Sequence, residues 1–152
     1  MTAPAGSMED GAETDEFGRL AGLSVLVADD DGAIHMLCRD IVSHFVTNAV
    51  VHSAADGTDA VAQARALRPD VILMDLAMPG LDGLDAVKIL KSSADTAKIP
   101  IIAFTGHVWR IRAIAESDCA ALLVKPCTPQ KMLATIAEVL LRPGSPGPTT
   151  EM

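Results

Sequence analysis

Apolar residues gather in five short runs along the middle of the chain. These runs occupy residues 24–28, 48–53, 71–74, 100–104 and 120–124. Short runs that are apolar at nearly every position are typical of strands buried on both faces of a parallel sheet, so the pattern predicts five strands. The third run lies between Pro69 and the chain-turning pair Pro79 and Gly80. Gly83, just beyond, is expected to permit a backbone shape that other residues resist.

The segments between these runs place apolar residues at helical spacing. In the first segment Ile34, Leu37 and Ile41 fall on one face of a helix over residues 32–45. Thr128 is expected to cap the last helix. The remaining predicted helices open at residues 56–58 and cover residues 84–93, 108–116 and 129–141.

Five strands that alternate with five helices predict an α/β fold. Short connections and right-handed crossovers give a doubly wound parallel sheet with helices on both faces. We therefore expect the flavodoxin-like (βα)5 arrangement, a five-stranded parallel sheet with strand order 2-1-3-4-5.

The two ends of the chain differ from its middle in composition. Residues 1–22 hold five carboxylates against Arg19 alone, so we expect a flexible acidic N-terminal tail with a short helical turn near residues 17–20. Residues 142–152 are rich in Pro and Gly, which predicts a disordered C-terminal tail. We therefore expect one domain over residues 23–141, with no second domain after it.

Composition and charge narrow the classes of function. The net charge is −8 and no basic patch is present, so we expect no binding to nucleic acid. No apolar run approaches the ~20 residues of a membrane span, and the N-terminus is acidic rather than a basic signal sequence. We therefore expect no membrane partner and a cytoplasmic location. The three cysteines form no CxxC pair and are interpreted as reduced core residues.

Polar residues follow four of the five predicted strands. Asp29 and Asp30 follow the first strand and Asp75 the third, while Thr105 follows the fourth strand and Lys125 the fifth. The carboxyl ends of parallel strands meet at one edge of a sheet, where open α/β folds bind their ligands. These side chains are therefore expected to converge on a single cleft.

Three carboxylates in one cleft need a counter-charge. Two carboxylates about 5 Å apart repel each other by roughly 3 kcal/mol at an effective dielectric constant near 20. Oxygen ligands with open positions suit Mg²⁺, which keeps several waters and accepts one or two carboxylates together with phosphoryl oxygens. The pattern therefore predicts Mg²⁺ as the cofactor. Asp31, at the start of a predicted helix, is expected to be its N-cap rather than a further ligand.

Four motifs at these strand ends occur in order within residues 23–141. They read V-L-V-A-D-D, V-I-L-M-D-L-A-M-P-G-L-D-G, I-I-A-F-T-G and L-L-V-K-P. Together the motifs resemble the receiver domain of two-component response regulators. The resemblance implies a signalling phosphoacceptor of a phosphorelay, not an enzyme in the usual sense.

The resemblance also implies a role for each residue of the cleft. Asp75 would be the phosphoacceptor, attacking a phosphohistidine on a histidine kinase or a histidine phosphotransfer protein. Lys125 would pair with the phosphoryl oxygens and Thr105 would hydrogen-bond one of them. The Mg²⁺ ligands would be Asp30, Asp75, the backbone carbonyl of Ala77 and, nearby or through water, Asp29.

One departure from the family pattern concerns the output of the signal. Leu122 stands three residues before Lys125, where the family usually carries the Tyr or Phe that swings inward when Thr105 moves. The segment between Thr105 and Lys125 also looks short, which predicts a trimmed fourth helix. We expect a downstream protein to bind the face formed by helix 4, strand 5 and helix 5, and the switch to be mainly a rearrangement of helix 4.

The loop before helix 4 and the helix itself hold further candidates. His107 either influences, together with Ala77, how fast the phosphoryl group is lost, or is an ordinary loop histidine. Trp109, Arg110 and Arg112 are candidate partner contacts, with packing as the alternative for Trp109.

Two other functions remain open at this stage. Asp29 and Asp31 after an apolar strand imitate the nucleophile motif of small haloacid-dehalogenase-like phosphatases. Those enzymes need an acidic pair beyond the lysine, where this chain has only Glu138 and Glu151. A pseudo-receiver scaffold that works without phosphorylation is the third possibility, and the complete site argues against it. The leading interpretation is a stand-alone, single-domain receiver that is a monomer or weak dimer.

Overall fold

Strands and helices alternate along the chain. The computed structural model describes residues 17–106 and 110–142. The strands are β1 (Ser24–Ala28), β2 (Val50–Ala54), β3 (Val71–Met74), β4 (Ile101–Thr105) and β5 (Ala121–Val124). The helices are α1 (Gly32–Phe45), α2 (Gly57–Leu67), α3 (Gly83–Ser92), α4 (Ile111–Ala115) and α5 (Pro129–Leu141).

The five strands form one parallel sheet in the order β2-β1-β3-β4-β5. Ala28 of β1 pairs with Met74 of β3, and Met74 pairs with Ala103 of β4. The carboxyl ends of neighbouring strands therefore lie close to one level. The flavodoxin-like fold and the strand order predicted from the sequence are confirmed.

Successive residues of a strand point to opposite faces of the sheet and enter two separate cores. In β1, Val25 and Val27 join a cluster with α1 and α5, whereas Leu26 and Ala28 join a cluster with α2, α3 and α4. β3 is buried at every position because helices cover both of its faces. Because helices cover both faces, polar groups can gather only where the strands end.

The second strand begins later than the sequence pattern indicates. We predicted it over residues 48–53, whereas β2 is Val50–Ala54. Asn48 has a φ of 58°, in the left-handed region, so its backbone turns the chain and does not extend the strand.

Polar side chains cap the first and last helices. An oxygen of Asp31 accepts a hydrogen bond from the Ala33 N–H at 2.9 Å, which begins α1. The Thr128 hydroxyl oxygen accepts from the Lys131 N–H at 3.0 Å at the start of α5. Both predicted N-caps are confirmed.

The described part of the N-terminal segment packs against the domain. The short helical turn predicted near residues 17–20 is confirmed as a 3₁₀ helix over Gly18–Leu20. This segment, which the sequence assigns to a flexible tail, is instead packed against the domain. Phe17 and Leu20 are buried in the first core cluster, and the ring of Phe17 meets that of Phe45 edge-on at 6.1 Å between centroids. The packed domain therefore extends back at least to Phe17. The flexible tail predicted for residues 1–16 falls outside the described residues.

The fourth helix is short, as the sequence indicates. α4 covers the five residues Ile111–Ala115, while residues 108 and 109, where we predicted its start, lie outside the described residues. His107 lies outside them too. Within the described ranges, no helix combines the length and the apolar character that crossing a membrane requires.

Candidate functional site

Three carboxylates meet at the carboxyl edge of the sheet. Asp29 and Asp30 follow β1 and Asp75 follows β3, and one oxygen from each lies within 4.8 Å of the others. Asp29 and Asp75 are buried, whereas Asp30 is exposed. The structure therefore brings together the carboxylates that the sequence places at strand ends, with the cluster open to solvent on the side of Asp30.

Lys125 provides the positive charge of this cluster. Its Nζ forms an ion pair with Asp29 Oδ2 and lies 3.5 Å from Asp75 Oδ2. The backbone N–H of Lys125 donates to the Thr105 carbonyl at 3.0 Å, so the end of β4 lies beside the lysine. Thr105 is fully buried at the end of its strand. All five polar residues predicted at the strand ends lie at this edge.

Backbone N–H groups orient the two buried carboxylates. Asp29 Oδ1 accepts from the N–H of Asp31 at 2.9 Å, and Asp75 Oδ1 accepts from the N–H of Ala77 at 3.2 Å. In each case Oδ1 is held by the backbone, while Oδ2 faces Lys125. The Oδ2 atoms are therefore presented to the cleft.

The cluster carries more negative than positive charge. Burial raises the pKa of Asp75; the Ala77 N–H bond and Lys125 oppose this increase, and the neighbouring Asp29 adds to it. One ammonium group cannot neutralise three carboxylates, and each like-charged pair at this spacing repels by roughly 3 kcal/mol. An all-oxygen donor set with one open side fits a hard divalent cation such as Mg²⁺.

The turn after Asp75 depends on close approach at Gly83. A Cβ atom added there would lie 2.3 Å from the Asp75 carbonyl oxygen and 2.7 Å from the Leu76 Cα. We expected Gly83 to supply an unusual backbone shape, but the positive φ of this turn, 73°, belongs to Gly80. Gly83 instead allows the start of α3 to lie directly against the loop that follows β3, which no side chain would permit.

Sequence reasoning missed the role of Arg110 and Asp82. Arg110 Nη1 donates to the Leu76 carbonyl and to Asp82 Oδ1, and Nη2 donates to Asp82 Oδ2, each at 3.0 Å. These contacts join positions 34 and 28 residues apart. No spacing rule predicts contacts between residues so far apart in the sequence. The sequence indicates only that an arginine and an aspartate lie in two loops at the same edge of the sheet.

Leu122 occupies the β5 position, three residues before Lys125, at which the family resemblance implies an aromatic ring. It is half-buried, packs against the second core cluster, and helps to line an apolar hollow of about 210 Å³ between α4 and β5. The other lining residues are Ile114, Ala115, Cys119 and Ala121.

Comparison with known proteins points to the same class as this geometry. The response regulator receiver domain family matches residues 25–137. Chemotaxis protein CheY of Thermotoga maritima is 28% identical over 118 residues, which cover 78% of this chain and 98% of that protein. The protein-glutamate methylesterase/protein-glutamine glutaminase of the same bacterium is 40% identical over 106 residues, which cover 68% of this chain but 30% of that enzyme.

Solved structures point to the same class of protein. The receiver domain of sensor histidine kinase PA1611 from Pseudomonas aeruginosa has a TM-score of 0.71 and 25% sequence identity, covering 78% of this chain and 97% of that domain. A magnesium ion is coordinated in the active-site cleft of that domain.

A parallel 2-1-3-4-5 sheet with an acidic cluster and a lysine at its carboxyl edge defines the class of protein. The chain belongs to the response regulator receiver domain family. It is a CheY-like signalling domain with a phosphoacceptor role in two-component systems. This family assignment decides against the phosphatase alternative.

Proposed function

We propose that Asp75 accepts a phosphoryl group from a phosphohistidine of a histidine kinase or a histidine phosphotransfer protein, in the cytoplasm and with Mg²⁺ as cofactor. The observation that carries this proposal is the position of Asp75 Oδ2, 3.5 Å from Lys125 Nζ in a cluster of three carboxylates. This oxygen faces the lysine, while the other oxygen of the same carboxylate is held by Ala77 N–H.

The transfer exchanges one bond to phosphorus for another. Asp75 Oδ2 attacks the phosphorus atom, the P–N bond breaks, and its electron pair returns to the imidazole nitrogen of the donor. The product is an acyl phosphate on Asp75. Because Lys125 already lies beside Oδ2, its ammonium can pair with the phosphoryl oxygens as they arrive. The hydroxyl of Thr105 is proposed to donate to one of these oxygens.

The acidic cluster supplies the ligands proposed for the metal. Bound Mg²⁺ would neutralise charge on the transferred phosphoryl oxygens. The proposed ligands are the carboxylates of Asp30 and Asp75 and the backbone carbonyl of Ala77, with Asp29 bound directly or through a water. Asp30 suits this role because it is exposed and its carboxylate lies within 4.8 Å of the two buried ones.

Phosphorylation by phosphoramidate, a small donor with the same P–N bond, tests this function. The wild-type chain should gain one phosphoryl group with Mg²⁺ and none when EDTA removes it. Asp30→Asn should need at least roughly tenfold more Mg²⁺, since even outer-shell disturbances of metal sites cost about that much. Asp95→Asn is the matched control because Asp95 is an exposed aspartate in the loop before β4. Labelling that is independent of Mg²⁺, or equal responses of the two variants, would contradict the proposed metal site.

A further inference from the structure

Arg110 connects the start of α4 to the loop that follows the phosphoacceptor. It is the residue immediately before α4, and its side chain is 21% exposed. The guanidinium donates to the Leu76 carbonyl oxygen and to both carboxylate oxygens of Asp82. The two-pronged contact with Asp82 fixes the plane of the guanidinium, which a single contact would leave free to rotate.

The peptide group between Leu76 and Ala77 joins Arg110 to Asp75. Its carbonyl oxygen accepts from Arg110 Nη1 at 3.0 Å, and its N–H donates to Asp75 Oδ1 at 3.2 Å. Because a peptide group is planar, fixing the direction of its carbonyl also fixes the direction of its N–H. A cation at the carbonyl also polarises the group and strengthens the N–H as a donor.

We propose that Arg110 is a positioning residue for phosphoryl transfer, acting through the Leu76–Ala77 peptide to hold Oδ1 of Asp75 so that Oδ2 faces the cleft. This inference rests on the proposed function of Asp75. It is not a general consequence of the fold, because it depends on an arginine at this position and on its contact with Asp82. The contacts that carry this role run from Arg110 to the Leu76 carbonyl and to Asp82, and reach Asp75 through the Leu76–Ala77 peptide.

Asp82 and the chemistry of arginine make the proposal specific. The hydrogen bonds from Arg110 hold the pKa of Asp82 below its ordinary value. Arg110→Lys would keep the positive charge but replace a planar fork with a point charge that cannot match the same acceptors. The lysine variant should therefore restore part of what a methionine variant loses, and Asp82→Asn should loosen the guanidinium without removing it.

The amide proton of Ala77 reports directly whether Arg110 strengthens the hydrogen bond from Ala77 to Asp75. In the NMR spectrum of Arg110→Met, this proton should shift upfield and exchange faster with solvent, because its hydrogen bond to Asp75 weakens. Arg19→Met is the matched control, since Arg19 is an exposed arginine in the 3₁₀ helix before β1. An Ala77 amide that responds equally to the two substitutions would overturn the proposal. If Arg110→Met does not fold, Asp82→Asn gives the same test, with a smaller upfield shift expected and an unchanged Ala77 amide overturning the proposal.

The rate of phosphorylation reports whether this hydrogen bond positions Asp75 for phosphoryl transfer. With phosphoramidate and saturating Mg²⁺, Arg110→Met should be phosphorylated roughly tenfold more slowly than the wild type. Arg110→Lys should lie between them, and Arg19→Met should match the wild type. A shifted Ala77 amide with an unchanged rate would overturn the positioning role. A wild-type chain that takes up no phosphoryl group would contradict the proposed function instead, and the amide measurement keeps the two failures apart.

Discussion

At Asp75, burial and hydrogen bonding act on one carboxylate in opposite directions. Burial raises its pKa and the Asp29 charge adds to this, while the Ala77 N–H and Lys125 stabilise the ionised form. The pKa in the folded state remains above the ordinary value of 3.8. Ionisation of Asp75 is therefore less favourable in the folded protein than in the unfolded chain.

This conflict predicts a pH-dependent gain of stability in Asp75→Asn. Because the folded pKa is raised, the folded state binds more protons than the unfolded state, and stability is lost as the pH rises from about 3.8 through the folded pKa. Without Mg²⁺ at pH 7, Asp75→Asn should therefore have a larger free energy of unfolding than the wild type. The difference should shrink towards acidic pH.

Urea unfolding across this pH range measures the effect. Asp95→Asn, a substitution at an exposed carboxylate, should leave the pH dependence of the wild type unchanged. An Asp75→Asn variant that is less stable than the wild type at pH 7 would show that Asp75 is not under electrostatic strain.

For individual residues, the sequence predicts which polar side chains meet at the carboxyl edge of the sheet, but not the contacts that they form. Asp29, Asp75 and Lys125 were predictable because each follows an apolar strand, and parallel strands end at one edge. The contact of Arg110 with Asp82 was not predictable, because it joins two loops whose separation depends on the packing of α3 and α4. The close approach at Gly83 likewise exists only once α3 lies against the loop.

Among the elements, α4 is best placed to respond to the site. It has five residues, its start is tied through Arg110 to the loop after Asp75, and Ile114 is buried in the second core cluster. Leu122 on β5 lines the adjoining apolar hollow in place of an aromatic ring. A change at Asp75 can therefore reach α4 through two routes, the Arg110 contacts and the end of β4 at Thr105.

Amide chemical shifts with Mg²⁺ and beryllofluoride, a phosphoryl mimic, test this response. We expect large changes over residues 106–116, because Thr105 is drawn towards the phosphoryl position and the region shifts between existing conformations. Asp75→Asn under the same conditions is the control and should show none of these changes. Changes confined to the immediate site, with residues 106–116 silent, would contradict a switch in α4.

The existence and order of the elements were predictable, while some of their limits were not. Apolar runs and helical stripes identify β3 and α1, since the core imposes these periods on the sequence. The late start of β2 depends on the left-handed backbone of Asn48, a local choice that hydrophobic pattern does not register. The face formed by α4, β5 and α5 stays a prediction as the partner surface.

For the whole molecule, the described N-terminal segment contributes to the fold. Phe17 is 3% exposed, and Leu20 is fully buried in the core cluster that α1 and α5 share. Two apolar residues in a polar stretch give no periodic signal, so the sequence alone places them in the tail. The boundary of the packed domain depended on tertiary contacts that only the structure reveals.

Phe17→Ala tests the contribution of this segment. Removing a buried aromatic side chain should lower the free energy of unfolding by about 3 kcal/mol, since both transfer free energy and packing are lost. Arg19→Ala changes an exposed residue of the same turn and should have little effect. Both variants should still be phosphorylated at temperatures where they are folded. A Phe17→Ala variant with wild-type stability, measured by urea unfolding, would contradict the packing described here.

The most direct test of the account is the identity of the residue that carries the phosphoryl group. Mass spectrometry of the intact chain after incubation with acetyl phosphate and Mg²⁺ should show one added phosphoryl group, and fragmentation should locate it on Asp75. Asp75→Asn should remain unmodified, while Asp95→Asn should be modified like the wild type. Undiminished labelling of Asp75→Asn, or a phosphoryl group located on another residue, would contradict the assignment of Asp75 as the phosphoacceptor.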